Sequence, residues 1–219
     1  MGRKSSSSPI GDFVGKVGPV VLSESYGVGT VRCKPVKRGK EKSEEQEKHT
    51  KAFKRLNEFL QDAIDIINMG YQQGPKPKMS AFNAAVSWHF YNALATDQTN
   101  GIIDFEKLRL SNPIRKTQKA WQPSISAEDD CVINLTWKLN PLPNKYTRLD
   151  DEVVLVVVFP YHGEFRFATR TAIRNDLNIR AEIPYITKEQ DVHCYLFMRS
   201  ADKKLVSETQ YLGEVRVKP

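Results

Sequence analysis

The chain has 219 residues, 40% hydrophobic and 27% charged, with a formal net charge of +7. This is too apolar for a chain disordered throughout, and the length fits one large domain or two small ones. Its longest apolar run, Val153–Phe159, falls far short of the roughly 20 residues that span a bilayer, and no apolar stretch follows Arg3-Lys4, so neither a membrane helix nor a secretory signal is expected.

Charge is uneven along the chain. Residues 1–119 hold 20 Lys/Arg against 12 Asp/Glu, whereas residues 120–219 hold 13 against 14. Polyanions are therefore natural partners of the first part. Residues 1–12, polar and Ser-rich, read as a flexible basic arm. From Val14 to Arg32, β-branched residues between glycines predict a β-hairpin. A lone hairpin is barely stable in water and its edge can add to another sheet, so Val17, Val20, Val21, Tyr26 and Val28 are candidates for self-association.

Cys33 to Ser43 is a basic loop. With the N-terminal pair it supplies the candidate phosphate contacts Arg3, Lys4, Lys34, Lys37, Arg38, Lys40 and Lys42. Their competing interpretation is a solvated loop, partly neutralised by the acidic start of the next helix. That helix runs from an N-cap at Ser43, through Glu44, Glu45 and Glu47 in its first turn, to Gly70. Its stripe is Phe53, Leu56, Phe59, Leu60, Ala63, Ile64 and Ile67. A loop through Gly74-Pro75 precedes a second helix, capped by Ser80 and running from Ala81 to about Ala95. Trp88 and Tyr91 widen its apolar face, which predicts a helix buried on two sides. Asn100-Gly101 reads as a turn, and Ile102–Leu110 as a strand with one charged face.

The polar segment Ser111–Ser124, with Pro113 and Pro123, is the expected boundary between a 13–119 module and a 120–219 unit. Short strands follow at Cys131–Leu139, Val153–Phe159, Glu164–Thr169, Leu177–Ile183, Val192–Arg199 and Lys204–Val215. The fold class expected is α+β: an N-terminal hairpin and two helices, then a fibronectin-III- or immunoglobulin-like β-sandwich able to fold alone.

No chemistry stands out. Cys33, Cys131 and Cys194 form no CxxC pair, which argues against a zinc site or disulfide framework and for a reduced, cytoplasmic setting. None of His49, His89, His162 and His193 has metal-pair spacing, and His89 and His193 read as packed side chains. Asp129-Asp130 and Asp150-Asp151-Glu152 read as solvated turns, with no EF-hand spacing. Phosphate-loop, nucleophile-elbow and dinucleotide motifs are absent from the sequence, so no catalytic residue, cofactor, metal or small-molecule substrate is expected.

Several stretches occur in order over nearly the whole chain: Gly15–Val21, Val31–Pro35, Met79–Ser87, Ile103–Phe105, His193–Leu196 and Tyr211–Gly213. Together they resemble an uncharacterised family of small proteins common in Bacteroidota, one of the numbered domains of unknown function. The resemblance implies no activity, cofactor or catalytic residue. The expectation is a non-enzymatic, homo-oligomeric structural or assembly protein, of phage or prophage virion type. The alternatives are a sequence-independent nucleic-acid-binding protein, and a sandwich that binds carbohydrate or protein through an aromatic platform of Tyr146, Tyr161 and Phe165.

Overall fold

The structure is a computed structural model, and it describes residues 2–3, 14–25, 28–36, 43–74, 77, 79–94, 103–162, 164–184 and 188–219. Strands β1 (Gly2–Arg3), β2 (Gly15–Val17), β3 (Val20–Ser25) and β4 (Val28–Cys33) form an antiparallel sheet in the order β1-β4-β3-β2. The sequence pattern predicts one hairpin here, but the structure has two, because Gly18-Pro19 makes its own turn. Gly18, at φ 57°, is the first of two residues between the paired Val17 and Val20, where a hairpin turn matching strand twist requires positive φ. Gly2 and Arg3 are not in a free arm: they pair with Val31 and Thr30.

The predicted first helix is divided into α1 (Glu44–Gln61) and α2 (Ile64–Gly70). Ser43 caps α1 in a reciprocal capping box with Gln46. At the division the Ala63 amide bonds to Leu60 O, three residues back, and Asp62 is tied to Arg166 at 2.5 Å. Leu56, Leu60, Ala63 and Ile67 are buried, whereas Phe53 stays exposed. Gly70 does more than end α2. A Cβ there would lie 2.1 Å from Leu110 O, so the chain can pass this close only with glycine. The last helix, α3 (Ala81–Asn92), starts at its predicted cap: Ser80 Oγ accepts from the Asn83 amide at 3.1 Å. Tyr91 does not widen the buried face; it is 80% exposed. The Asn100-Gly101 turn lies outside the described residues.

The predicted strand at Ile102–Leu110 is not formed. Ile103 makes an isolated bridge to Leu94, and Phe105–Lys107 is a single 3-10 turn. Asp104 causes this: its side chain accepts from the Glu106 amide at 3.1 Å, a local bond that competes with strand pairing. Leu108 and Leu110 are nevertheless buried.

Seven strands follow: β5 (Trp121–Glu128), β6 (Val132–Lys138), β7 (Glu152–Tyr161), β8 (Glu164–Ile173), β9 (Asn178–Glu182), β10 (Gln190–Arg199) and β11 (Gln210–Val217). They make two antiparallel sheets, β5-β6-β9 and β11-β10-β7-β8. β5 lies partly inside the predicted boundary, where Pro123 and its serines hide it. It is an edge strand, the position where a sheet tolerates proline. β11 starts six residues later than predicted, because Val206 instead bridges Lys116 and Arg199.

β7 sets the architecture. Val153, Leu155, Val157 and Phe159 face the three-stranded sheet, with Ile133, Leu135 and Trp137 opposite. Val154, Val156 and Val158 face the other way, into a cluster with Leu56, Leu60, Ile67 and Phe90 of the helices. β10 does the same: Cys194, Leu196 and Met198 point to one side, Tyr195 and Phe197 to the other. The four-stranded sheet is thus a middle layer with strands on one face and helices on the other, and the fold is mixed α+β.

Candidate functional site

Two surfaces stand out. The first is the N-terminal sheet. Strand alternation and register place Val17, Val20, Leu22, Val31 and Cys33 on one face, with Glu24 at its end, and Lys16, Val21, Ser23, Thr30 and Arg32 on the other. A Ser23 Oγ to Thr30 Oγ1 contact of 2.8 Å marks the polar face. Among the residues of this sheet whose side chains are described none is buried, and Val17 is 60% exposed. Of the predicted self-association residues, Val17 and Val20 share the apolar face and Val21 is on the other. Tyr26 lies outside the described residues, and Val28 is described only in its backbone, opposite Ser25. Leu22 and Val31 belong to this face and were not singled out from the sequence; the period-two alternation from Val20 is the signal that marks them.

Among the nucleic-acid candidates, Lys34 is exposed beside the sheet and Arg3 is described only in its backbone. Lys4, Lys37, Arg38, Lys40 and Lys42 lie outside the described residues. Register adds two cations absent from that set, Lys16 and Arg32, which flank Val21 on the polar face.

The second surface is one end of the C-terminal two-sheet region. The loop 139–151 between β6 and β7 is held by a buried ion pair. Asp151 Oδ2 accepts from Arg174 Nε at 3.2 Å and Nη2 at 3.1 Å, from Thr117 Oγ1 at 3.0 Å and from the Arg148 amide at 3.3 Å. Arg174 Nη2 also donates to Gln118 O at 2.6 Å, and Trp137 Nε1 donates to Arg174 O at 2.8 Å. Burial holds the Arg174 guanidinium below its ordinary pKa, against the pull of Asp151. Gln118 grips the loop as well: its Oε1 accepts from Thr147 Oγ1 at 3.0 Å and its Nε2 donates to Leu142 O at 3.2 Å. The expectation of a solvated acidic turn is therefore corrected. Asp151 is fully buried, Glu152 pairs with Arg199, and Asp150 alone of the three is exposed. The expected aromatic platform does not assemble either. Tyr146 is on this loop, Tyr161 packs with the inter-sheet core, and Phe165 is turned toward Phe59 and Phe105.

A model of a family of unknown function, DUF6266, matches residues 12–213. The chain belongs to DUF6266. Every stretch that carries the resemblance, from Gly15 to Gly213, lies inside the matched span. A comparison with curated proteins gave no match.

In the DUF6266 chain His89, His193 and Cys194 are packed side chains, whereas Cys33, His49 and His162 are exposed. His89 is buried on α3, with Nδ1 2.7 Å from Ala85 O and Nε2 accepting from the Arg109 amide at 3.0 Å. Both bonds fit one neutral tautomer, with the proton on Nδ1. His193 stacks on Phe105 at 4.0 Å, and burial lowers its pKa. Burial pushes the Cys194 thiol up to about 12, which leaves it inert. Among the described residues no group of three His, Cys, Asp or Glu side chains could hold a metal ion, and no helix is long and apolar enough to cross a membrane.

His89 gives a pH prediction. Burial lowers its pKa to about 4, against an unfolded value of about 6.5. The folded state therefore binds fewer protons between these values. The stability due to neutral His89 is complete above about pH 6.5 and is lost as pH falls toward 4, an effect of about 3 kcal/mol. Urea unfolding at pH 7 and pH 4 measures it. His89→Gln, which cannot titrate, should lose less stability over that interval than the wild type; an equal loss in both would clear His89 of the effect.

Proposed function

We propose that the chain is a non-enzymatic, self-associating structural protein whose N-terminal sheet meets a second copy. The observation that carries this is the sheet's mainly apolar face, Val17, Val20, Leu22 and Val31 with Glu24 at its end, in a sheet where no side chain that is described is buried. Such a sheet needs a partner layer to be stable. Four strands spaced about 4.8 Å apart, each up to six residues long, give a footprint on the order of 300–400 Å². Stable interfaces bury about 800 Å² per partner, so association through this face alone is expected to be weak and concentration-dependent. The seven-strand, two-sheet arrangement supports a fibronectin-III- or immunoglobulin-like assignment for the C-terminal part, an architecture common among proteins that work by contact.

A second reading is binding of nucleic acid across the polar face. It is supported by Lys16 and Arg32 on that face, with Lys34 following β4. Salt separates the two. Like-charged copies at +7 repel, so apolar self-association strengthens as salt screens them, whereas phosphate binding weakens. Size-exclusion chromatography with light scattering, over a range of concentration and salt, tests the first reading. Deletion of residues 1–36, or Val17→Ser with Leu22→Ser and Val31→Ser, should lower the oligomeric state. A wild type that stays monomeric up to about 100 µM, a range in which even weak interfaces show, would overturn it.

A further inference from the structure

We propose that the loop end of the C-terminal two-sheet region is a docking surface for an acidic, apolar linear segment of a partner protein. The loop 139–151 is anchored on the buried Asp151–Arg174 pair and on Gln118, so its shape is fixed. Yet it presents Leu142 at 82%, Leu149 at 57% and Tyr146 at 48% exposure. Leu177 stands beside them, also exposed, because the Asn175 amide donates to Leu149 O at 3.1 Å. Singly exposed apolar side chains are ordinary, but several on one rigid loop are the arrangement of a contact site. A cleft of about 370 Å³ opens between this loop and Ser200–Asp202 of the β10–β11 connection.

Charge selects the occupant. Lys138, Lys145, Arg148 and Lys203 are exposed at this end and have no carboxylate partner among the described residues; Lys145 lies 4.8 Å over the Tyr146 ring. Asp202 is paired with Ser200 and Lys204, which leaves Asp150 and Asp176 as the exposed anions without a cation partner among the described residues, against four such cations. Exposed apolar side chains on the loop beside a cleft with a surplus of cations fit a segment carrying Leu or aromatic residues among Asp and Glu. The exposed leucines of the loop argue for a protein segment over a sugar.

The full-length protein is panned against a displayed library of random linear peptides, and enriched sequences are measured by fluorescence anisotropy. Enriched peptides should combine acidic with large apolar residues. Leu142→Ser with Tyr146→Ser should weaken them at least about tenfold, as loss of a central contact does. Arg148→Glu with Lys203→Glu should do the same, and deletion of residues 1–36 should change nothing. Unchanged thermal melting of these surface variants is the folding control, with Leu149→Ser plus Leu177→Ser as a second pair. Neutral or basic winners, or binding indifferent to both apolar pairs, would overturn the proposal. So would loop variants that dissociate an oligomer, which would make this end a contact between copies. The N-terminal deletion tests the self-association separately, so the two can fail independently.

Discussion

Arg174→Ala is expected to destabilise the protein by about 3–5 kcal/mol, the usual cost of breaking a buried ion pair from one side. Asp151 is fully enclosed, and all its side-chain bonds fall on Oδ2, while Oδ1 is buried with no hydrogen-bond partner. Without the guanidinium that carboxylate keeps one hydroxyl and one amide donor, too little to offset its desolvation. Gln118 O loses a donor in the same change. The double variant Asp151→Leu, Arg174→Met removes both charges and should recover most of the loss, because the expense lies in an unpaired charge more than in a missing attraction. Urea unfolding of the single and double variants gives both numbers. A single variant within about 1 kcal/mol of the wild type would mean that the pair is no anchor, and the fixed shape of loop 139–151 would need another explanation.

That pair also shows where the sequence stops being legible. Asp151 sits in a run of three acids that looks like a turn, and its partner is 23 residues away, beyond the β7–β8 hairpin that conceals the contact. By contrast, most of the fold is visible. Alternation marks β6 and β8, and Ser43 and Ser80 mark their helices because a cap is a local bond. Val153–Phe159 carries more than a strand assignment: an uninterrupted apolar run in a strand means both faces are covered. With one face on the second sheet, the other had to meet the helices, as Val154, Val156 and Val158 do. β5 escaped because an edge strand needs little apolar surface, and Ile102–Leu110 misled because Asp104 spends on a local turn what pairing would need. The apolar face of the N-terminal sheet was half visible. Its composition flags the valines, but only the two-hairpin register separates Val20 from Val21.

The shared core leads to the second large effect. Residues 120–219, expected from composition to fold alone, should fail to do so as an isolated fragment. Removing the first 119 residues strips the helices from the middle sheet and exposes Val154, Val156, Val158, Tyr195 and Phe197 on one face. At about 1.5–3 kcal/mol for each side chain, the lost burial is on the order of 10 kcal/mol, comparable with the whole stability of a domain. The segment before β5 is lost too, and with it the bonds from Ser111 Oγ to Ser207 O at 2.8 Å and from Thr117 to Asp151 at 3.0 Å. The fragment should give a broad, non-cooperative melt and should aggregate through the bare face. A fragment beginning at Ser43 keeps both core clusters and should melt cooperatively near the full-length protein, since no described side chain of the N-terminal sheet belongs to either cluster. Circular dichroism melts of the two fragments decide it. A sharp transition for residues 120–219 would mean that the inter-sheet core around Leu135, Leu155 and Leu196 suffices by itself and that the helices are an attached layer.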